Sequence, residues 1–342
     1  SNNDGCIISR SNEAKMLGIK MGEPVFKIKK IIERYDIQLF STNFALYGDM
    51  SSRVMQLLNE LSPKIEVYSI DEAFIDFKGI QNQNNIATSI VKNIKKSTGI
   101  PISIGIAKTK TLAKIANHIA KKENKSDICI LNNNNDIMRI LKRFPVSQVW
   151  GIGSKSSIKL NDCNIYSAYD FTLIDEKWIL KNMSITGLQI QKELKGYNCF
   201  KIDTHICNKK NISSSRTFAT KTNDFDYISK HISRNASRCA QKLRIENSSA
   251  GFIGVSLQTS PYDKNQKYHQ SCKTKIIDSP SNDTIELVKI SNKLMESMYL
   301  KNIHYNKARV FVGNIVPSNK VQLNLFQNQV DRSKLYNNID FI

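Results

Sequence analysis

The 342-residue sequence lacks the features that mark membrane, secreted and zinc-binding proteins. No run of about 18 apolar residues occurs, so no segment has the composition of a membrane-spanning helix. The seven cysteines are scattered and odd in number, and no C-x-x-C pair is present, which argues against a disulfide framework or a zinc site. No signal peptide is recognisable. These absences predict a cytoplasmic protein with reduced cysteines and no membrane partner.

Acidic residues are scarce relative to basic ones. Lys and Arg number 50 against 30 Asp and Glu, which gives a formal net charge of +20. Such an excess favours a polyanionic partner. Nucleic acid is favoured over a membrane surface, because no basic amphipathic segment with Trp or Phe on its apolar face is present. The length allows two or three domains, each with its own core.

Two adjacent carboxylates, Asp71 and Glu72, lie between two short runs of alternating β-branched and aromatic residues. This alternation predicts two strands that meet at a tight turn, which would hold the pair on rigid backbone. Two like charges at this spacing repel unless a cation lies between them. Hard oxygen ligands suit Mg²⁺, which binds one or two carboxylates together with substrate phosphates. The alternative is an ordinary polar turn without chemistry.

The second informative stretch is Val-Trp-Gly-Ile-Gly-Ser-Lys at 149–155. Gly151 and Gly153 would let the backbone approach another molecule closely. Ser154 is predicted to cap a helix whose first-turn N–H groups, with Lys155 nearby, would form a phosphate site. Such a site contacts the nucleic-acid backbone without reading bases. Taken alone, Gly-Ile-Gly is more often only a turn.

Several motifs in order resemble one family. Tyr-Ser-Ile-Asp-Glu-Ala-Phe at 68–74 is similar to the signature of the Y-family, the translesion DNA polymerases. Ser-Asn-Asn-Asp-Gly-Cys at 1–6, Leu-Gly-Ile-Lys-Met-Gly at 17–22 and Ala-Lys-Thr-Lys-Thr-Leu-Ala-Lys at 107–114 point more narrowly to the UmuC type within it. The resemblance extends from residue 1 to about the Leu-Phe at 325–326.

The resemblance implies an α+β fold in four domains followed by a tail. The expected divisions are small fingers (1–43), a ferredoxin-like split βαβ palm (44–131), a helix-hairpin-helix thumb (132–212), a separate α/β little finger (213–316) and a flexible tail (317–342). Residue patterns agree, with helices predicted at 44–61, 84–97, 110–122, 226–245 and 282–301 and strands at 100–106, 127–131, 213–219, 252–259, 271–277 and 307–316. Relatives open the palm with a strand that carries another metal-binding Asp and the aromatic residue that excludes the ribose 2′-hydroxyl. That strand is not recognisable here, so we expect either a truncated product or a fragment of a longer one.

The resemblance also implies an activity: error-prone, template-directed nucleotidyl transfer past damaged bases in SOS-type DNA repair. Asp71 and Glu72 would be catalytic and would hold Mg²⁺, while Lys15 and Lys121 would bind the triphosphate of the dNTP. The expected DNA contacts are Gly151, Gly153, Ser154, Lys155 and Arg216. Both lysines fit equally well as ordinary solvated surface residues.

The partners implied are primed and damaged DNA, a sliding clamp, a UmuD-type accessory subunit and RecA. Near the end of the chain, a Gln followed by Leu-x-Leu-Phe is similar to the peptide by which bacterial polymerases dock on the clamp. The residues concerned are Gln322, Leu323, Leu325 and Phe326. The alternative is the last hydrophobic turn of a domain.

Two rival functions also account for parts of the sequence. The first is a truncated, inactive remnant that binds DNA and clamp without polymerising, and the unrecognised opening strand supports it. The second is a nucleotidyl cyclase, since cyclases also place carboxylates on a ferredoxin-like hairpin. The glycine turn, the second basic α/β domain and the clamp-like tail argue against a cyclase.

Overall fold

The structure is a computed structural model that describes residues 5–61, 64–122, 127–204, 209–263, 266–322 and 332–341. The chain divides into two compact units. One is continuous, Asn43–Ile206, and contains the predicted palm and thumb. The other is discontinuous, Ser1–Thr42 with Cys207–Ile342, and contains the predicted fingers and little finger. Within the described ranges no disulfide joins the cysteines.

The first part of the discontinuous unit consists of two short helices around a small apolar cluster. Helix α1 (Asn12–Met16) begins after Ser11, whose hydroxyl accepts a hydrogen bond from a first-turn N–H group. Helix α2 (Lys29–Arg34) follows a 3₁₀ turn. The buried members of the cluster are Ile7, Ile19, Val25 and Ile28. The short helical and turn segments predicted here are confirmed.

The continuous unit begins with the predicted hairpin between two helices. Helix α3 (Phe44–Leu61) leads into strand β1 (Ile65–Val67), which pairs antiparallel with β2 (Ala73–Ile75) before helix α4 (Gln83–Thr98). Ile65 lies opposite Ile75 in the register, and both pack against the buried side chains of α3 and α4. Gly99 ends α4 with a φ of 73°, as its sequence position predicts.

A parallel strand pair and a helix complete the predicted palm. They are β3 (Ile104–Ala107), α5 (Lys110–Lys122) and β4 (Ile128–Leu131). Strand β3 is shorter than the predicted 100–106, because Pro101 has no N–H group for a ladder. Helix α5 crosses β3 at Gly105, where a Cβ would lie only 2.1 Å from the backbone nitrogen of Asn117.

The strands of the predicted palm form two separate two-stranded ladders in the described residues, β1–β2 and β3–β4. One apolar cluster joins them, since Ile104 of β3 packs against the same buried residues of α3 and α4 as Ile65 and Ile75 of the hairpin. The element order matches the split βαβ prediction, and its opening strand is not among the described residues.

Four helices follow β4, namely α6 (Asn134–Arg143), α7 (Ser154–Asn161), α8 (Ala168–Leu173) and α9 (Glu176–Leu194). Ser184 interrupts α9 with a φ of 66°, so the helix is kinked there. One hydrophobic core contains buried residues of α5 together with those of α6, α7, α8 and α9. The predicted palm helix and the predicted thumb are therefore packed as one body.

The second part of the discontinuous unit is a four-stranded antiparallel sheet covered on one face by two helices. Its elements are β5 (Asn211–Thr222), α10 (Phe225–Ile245), β6 (Ser248–Gln258), β7 (Gln270–Ser281), α11 (Thr284–Glu296) and β8 (Tyr305–Pro317). The strand order is β5-β8-β6-β7. Four residues of α10 predicted to face inward, Ile228, Ile232, Cys239 and Leu243, are fully buried. The predicted β-α-β-β-α-β unit is confirmed.

The tail after β8 is more structured than predicted. Residues Ser333–Phe341 form helix α12, where a flexible tail was expected. Arg244 of α10 binds Asp340 through two nitrogens, at 2.6 and 3.0 Å, and the Tyr336 hydroxyl donates to Asp283 at 2.9 Å. Tyr336 and Asp340 are one turn apart, so they lie on the same face of α12, which is the face that contacts Asp283 and Arg244. No described helix combines the length and the apolar character needed to cross a membrane.

Candidate active site

Asp71 and Glu72 lie in the turn between β1 and β2, as predicted. The N–H groups of Tyr68 and Ser69 both donate to the carbonyl of Glu72 at 3.0 Å, which closes the turn. The Ser69 hydroxyl donates to Asp71 Oδ1 at 2.6 Å, and the Asp71 N–H donates back to Ser69 Oγ at 3.3 Å. Asp71 is exposed, so its carboxylate is oriented by Ser69 and accessible from solvent.

Glu72 is held by a cation on α5. Lys114 Nζ lies 2.5 Å from Glu72 Oε1, and the two side chains are 22% and 32% exposed. The ammonium group offsets the charge of Glu72, which lowers the repulsion between the adjacent carboxylates. Lys114 is not among the site residues predicted from the sequence. Its signal was the position one turn after Lys110, which places both lysines on the same face of the helix.

Lys110 attaches the hairpin to α5 at a second point. Its Nζ lies 2.5 Å from Glu66 Oε2 and donates to the Lys201 carbonyl at 2.9 Å. The N–H of Asp203 donates to the same Glu66 oxygen at 2.6 Å. The Lys110 side chain is only 9% exposed, so solvent screens this pair weakly. The hairpin is thus fixed both to α5 and to the segment after α9.

An aromatic cluster joins the hairpin to the glycine turn. The Trp150 indole N–H donates to the Tyr68 hydroxyl at 3.1 Å, across 82 positions of sequence. The rings of Tyr68, Phe74 and Phe200 lie 5.5, 5.7 and 5.5 Å from the Trp150 ring, centre to centre. Trp150 directly precedes Gly151. The two stretches that the sequence singled out separately are therefore in contact.

The two glycines of the turn differ in backbone conformation and in the space available for a side chain. Gly151 has a φ of 88°, and a Cβ there would lie 2.6 Å from Cδ1 of Ile190. Gly153 has extended backbone, and a Cβ there would meet nothing within 4 Å. Gly153 is the N-cap of α7, so the prediction that Ser154 caps the helix is wrong. Ser154 is its first residue, where a side chain lies past the capping position.

This difference predicts opposite effects for two alanine substitutions. Gly151→Ala is expected to lower the free energy of unfolding by about 2–3 kcal/mol, because it forces a side chain into a left-handed backbone and against Ile190. Gly153→Ala is expected to cost no more than about 1 kcal/mol, as a lost glycine cap. If the predicted phosphate contact is made here, Gly153→Ala would nevertheless weaken DNA binding about tenfold, because the added methyl group would lie at that contact. Urea unfolding and gel shifts at low salt measure the two effects. Wild-type DNA binding by Gly153→Ala would contradict a phosphate site here.

The other predicted site residues lie as follows. Lys121 is exposed in the last turn of α5, on the helix that carries Lys110 and Lys114. Lys15 is exposed on α1, in the other unit, and donates to Asn12 at 3.2 Å. Lys155 is exposed in the first turn of α7. The carbonyl of Gln322 accepts a hydrogen bond from Ser279 at 3.1 Å, and Leu323, Leu325 and Phe326 lie outside the described residues.

Arg216 lies on the face of the sheet that carries helix α10. Its partner in the register is Ala308, which is fully buried on that face, and its neighbour Ser214 bonds Asn235 of α10. Burial lowers the pKa of His231 on α10, and the guanidinium groups of Arg216 and Arg234 lower it further.

We therefore expect Arg216→Ala to raise the pKa of His231, as measured by NMR titration of the imidazole. A His pKa below its unfolded value of about 6.5 means that stability is lost as the pH falls through this value, since the unfolded chain takes up the proton first. The substitution should reduce this loss. Arg309 follows Ala308 in β8 and so lies on the opposite face of the sheet, which makes Arg309→Ala the control that should leave the titration of His231 unchanged. An unchanged pKa of His231 in Arg216→Ala would mean that the Arg216 side chain does not lie near His231.

The donor set of the turn fits a divalent metal of the hard type. Asp71 and Glu72 present carboxylate oxygens, and Mg²⁺ in phosphate chemistry commonly takes one or two protein carboxylates and completes its shell from substrate and water. Across the described ranges, no group of three or more His, Cys, Asp and Glu side chains is placed to hold a metal.

Comparisons with known proteins agree on the family. Residues 1–118 match the impB/mucB/samB family, and residues 209–325 match its C-terminal domain. The chain is 36% identical to the protein UmuC of Salmonella typhimurium over 97% of this chain and 80% of that one. It is 34% identical to the protein ImpB of Salmonella typhimurium over 99% and 82%.

A solved chimeric Y-family DNA polymerase built from Dbh and Dpo4 has the same fold. It covers 92% of this chain and 89% of its own, with a TM-score of 0.76 and 21% identity. At this identity the likeness supports the α+β polymerase fold. The family models and the UmuC and ImpB matches decide the family. The chain belongs to the impB/mucB/samB family, the UmuC type of Y-family DNA polymerase.

Proposed function

We propose that this chain carries out error-prone, template-directed nucleotidyl transfer past damaged bases at the turn that holds Asp71 and Glu72. The observation that supports this is the adjacent carboxylates, exposed Asp71 and partly exposed Glu72, on a hairpin fixed to α5 and, through Trp150, to the glycine turn. A rigid pair of hard ligands beside a backbone suited to phosphate is what alignment of a primer end with a nucleotide requires.

Asp71 and Glu72 would hold Mg²⁺, which when bound neutralises charge on the phosphate oxygens. Ser69 orients Asp71, and Lys114 keeps Glu72 in place while offsetting part of its charge. Lys121 and Lys15 would each contribute a point charge to the triphosphate. Because phosphoryl transfer needs mainly positioning and charge stabilisation, no side chain is assigned a covalent role.

Primed DNA would be gripped through its phosphates. Gly151 and Gly153 present backbone, and Ser154 and Lys155 present the first-turn N–H groups of α7 with a nearby cation. Arg216 would contribute from the edge of the sheet in the other unit. Contacts to phosphate position DNA without reading sequence, which suits an enzyme that must accept a damaged template.

Docking on the sliding clamp would use Gln322, Leu323, Leu325 and Phe326. The support is the resemblance of this peptide to clamp-docking motifs and its position directly after the last strand of the sheet. A UmuD-type subunit and RecA are proposed as partners by the family resemblance.

The test is primer extension by the full chain with Mg²⁺ and four dNTPs, on an undamaged template and on one with an abasic site. The expected result is product that extends beyond the abasic site, and misinserted bases in the product made on the undamaged template. The binding-only alternative predicts a gel shift of primed DNA at low salt and no extension. The comparisons favour the polymerase interpretation.

A further inference from the structure

We infer that Glu193 is a positioning residue of the polymerase site. From helix α9 of the predicted thumb, it caps helix α5 of the predicted palm and so sets where the lysines of α5 lie. The inference rests on the proposed function, because the role of these lysines is part of that proposal. It begins from the burial of Glu193, a charged residue with no exposed surface.

The carboxylate of Glu193 accepts three backbone hydrogen bonds from two separate segments. Oε2 accepts from the N–H of Thr111, at the start of α5, at 3.0 Å. Oε1 accepts from the N–H groups of Cys199 and Phe200 at 2.8 and 3.1 Å. A buried carboxylate without such partners would be strongly unfavourable, so these three contacts determine where it can lie.

The contact with α5 is a helix cap supplied by a different part of the chain. The first-turn N–H of Leu112 bonds the hydroxyl of Thr109, which is the ordinary local cap. The neighbouring N–H, that of Thr111, bonds Glu193 instead. Thr109 also donates to the main-chain carbonyl of Glu193 at 2.9 Å. Two hydrogen bonds in opposite directions thus lock the start of α5 to the end of α9, and a negative charge there suits the helix dipole.

This connection between α5 and α9 affects the positions of three lysines. Lys110 and Lys114 hold the hairpin through Glu66 and Glu72, and Lys121 follows two turns later on the same face of α5. A shift or rotation of α5 would move all three lysines together.

The second segment held by Glu193 leads back to the glycine turn. Phe200, whose N–H bonds Glu193, packs against Trp150, and Trp150 bonds Tyr68 of the hairpin. One carboxylate therefore determines the relative positions of α5, the hairpin and the turn proposed to grip DNA.

A purely structural role is the rival interpretation, and the chain offers a matched control. Gln191 lies on the same helix and is equally buried. Its side-chain amide donates to the carbonyls of Phe171, Thr172 and Ile174, all in the helical segment before α9 and none in α5. Gln191→Met therefore disturbs the buried interior of the predicted thumb and leaves the cap of α5 intact.

The experiment compares Glu193→Gln and Gln191→Met in the full chain. Glutamine keeps the shape but replaces one acceptor oxygen with an NH₂ group that cannot accept from an N–H. We expect amide hydrogen exchange at the start of α5, around Thr111, to accelerate about tenfold or more in Glu193→Gln. The KM for dNTP should rise about tenfold, since a displaced Lys121 would bind the triphosphate less well.

Gln191→Met should lower the Tm but leave both the exchange around Thr111 and the KM for dNTP at wild-type values. Glu193→Asp, which retains the charge on a shorter side chain, should fall between the wild type and Glu193→Gln in both readouts. Wild-type exchange around Thr111 in Glu193→Gln would overturn the inference, as would a KM that rises equally in Gln191→Met. If the wild-type chain extends no primer, the proposed function fails, while the exchange measurement still decides whether Glu193 caps α5.

Discussion

Asp71→Ala is expected to abolish primer extension, lowering kcat by at least about 10³-fold, because several kcal/mol of metal-dependent charge stabilisation would be lost. The fold should be unaffected. Asp71 is exposed, and in the described part of the chain Ser69 is the hydrogen-bond partner of its side chain, so its removal should change the free energy of unfolding by no more than about 0.5 kcal/mol. Primer extension with Mg²⁺, beside a urea unfolding curve and a gel shift, measures all three properties.

Asp76 provides the matched control for Asp71. It is an acidic residue on the same hairpin, beyond β2, and it lies 3.8 Å from Lys64. Asp76→Ala removes the same charge from the same element without touching the turn, so it should retain wild-type extension. Extension by Asp71→Ala at the rate of Asp76→Ala would show that the turn does not carry the chemistry.

The largest effect on stability is expected at Gly105. An added Cβ would lie 2.1 Å from the nitrogen of Asn117, 2.3 Å from the carbonyl oxygen of Ala113 and 2.8 Å from the carbonyl carbon of Ala116. These are backbone atoms of α5, so no side chain can rotate away and the helix itself must move off β3. Gly105→Ala should therefore lower the free energy of unfolding by about 4 kcal/mol or more. The urea midpoint, followed by circular dichroism, measures this loss.

Gly48 is the control for the effect of adding a methyl group. It lies within α3, and a Cβ there would meet nothing within 4 Å. Gly48→Ala should stabilise the protein by about 0.5–1 kcal/mol, because alanine loses less backbone entropy in a helix. A Gly105→Ala protein as stable as the wild type would mean that α5 and β3 are not in direct backbone contact.

The sequence was informative wherever structure depends on neighbours along the chain. The hairpin around Asp71 and the inward face of α10 follow from periods of two and 3.6 residues, and both are confirmed. Lys114 and Trp150 were missed as partners of Glu72 and Tyr68, because those contacts span 42 and 82 positions. Glu193 did leave a signal, since it is a charged residue beside Leu194 on the apolar side of α9.

Two other features of the structure could not be predicted, because they depend on the strand register or on contacts between residues far apart in the sequence. Which face of the sheet Arg216 occupies was not decidable from β5 alone, because one position of slip in the pairing with β8 would reverse it. The sequence of helix α12 predicts a flexible tail, because it is polar and offers little apolar surface. Its attachment uses Tyr336 and Asp340, whose partners Asp283 and Arg244 lie far back in the chain.

The strand order of the sheet bears on how the newly made chain folds. In the described part of the chain β5 hydrogen-bonds only to β8, although β8 follows it by roughly 80 residues. At a synthesis rate of about 5–20 residues per second, β5 is synthesised several seconds before β8 and remains unpaired during that time. An unpaired strand is prone to associate with other chains, and polar or charged residues prevent this. The run Ser213, Ser214, Ser215 and Arg216 supplies them, so this strand is protected during translation by the same residues that later form the edge of the sheet.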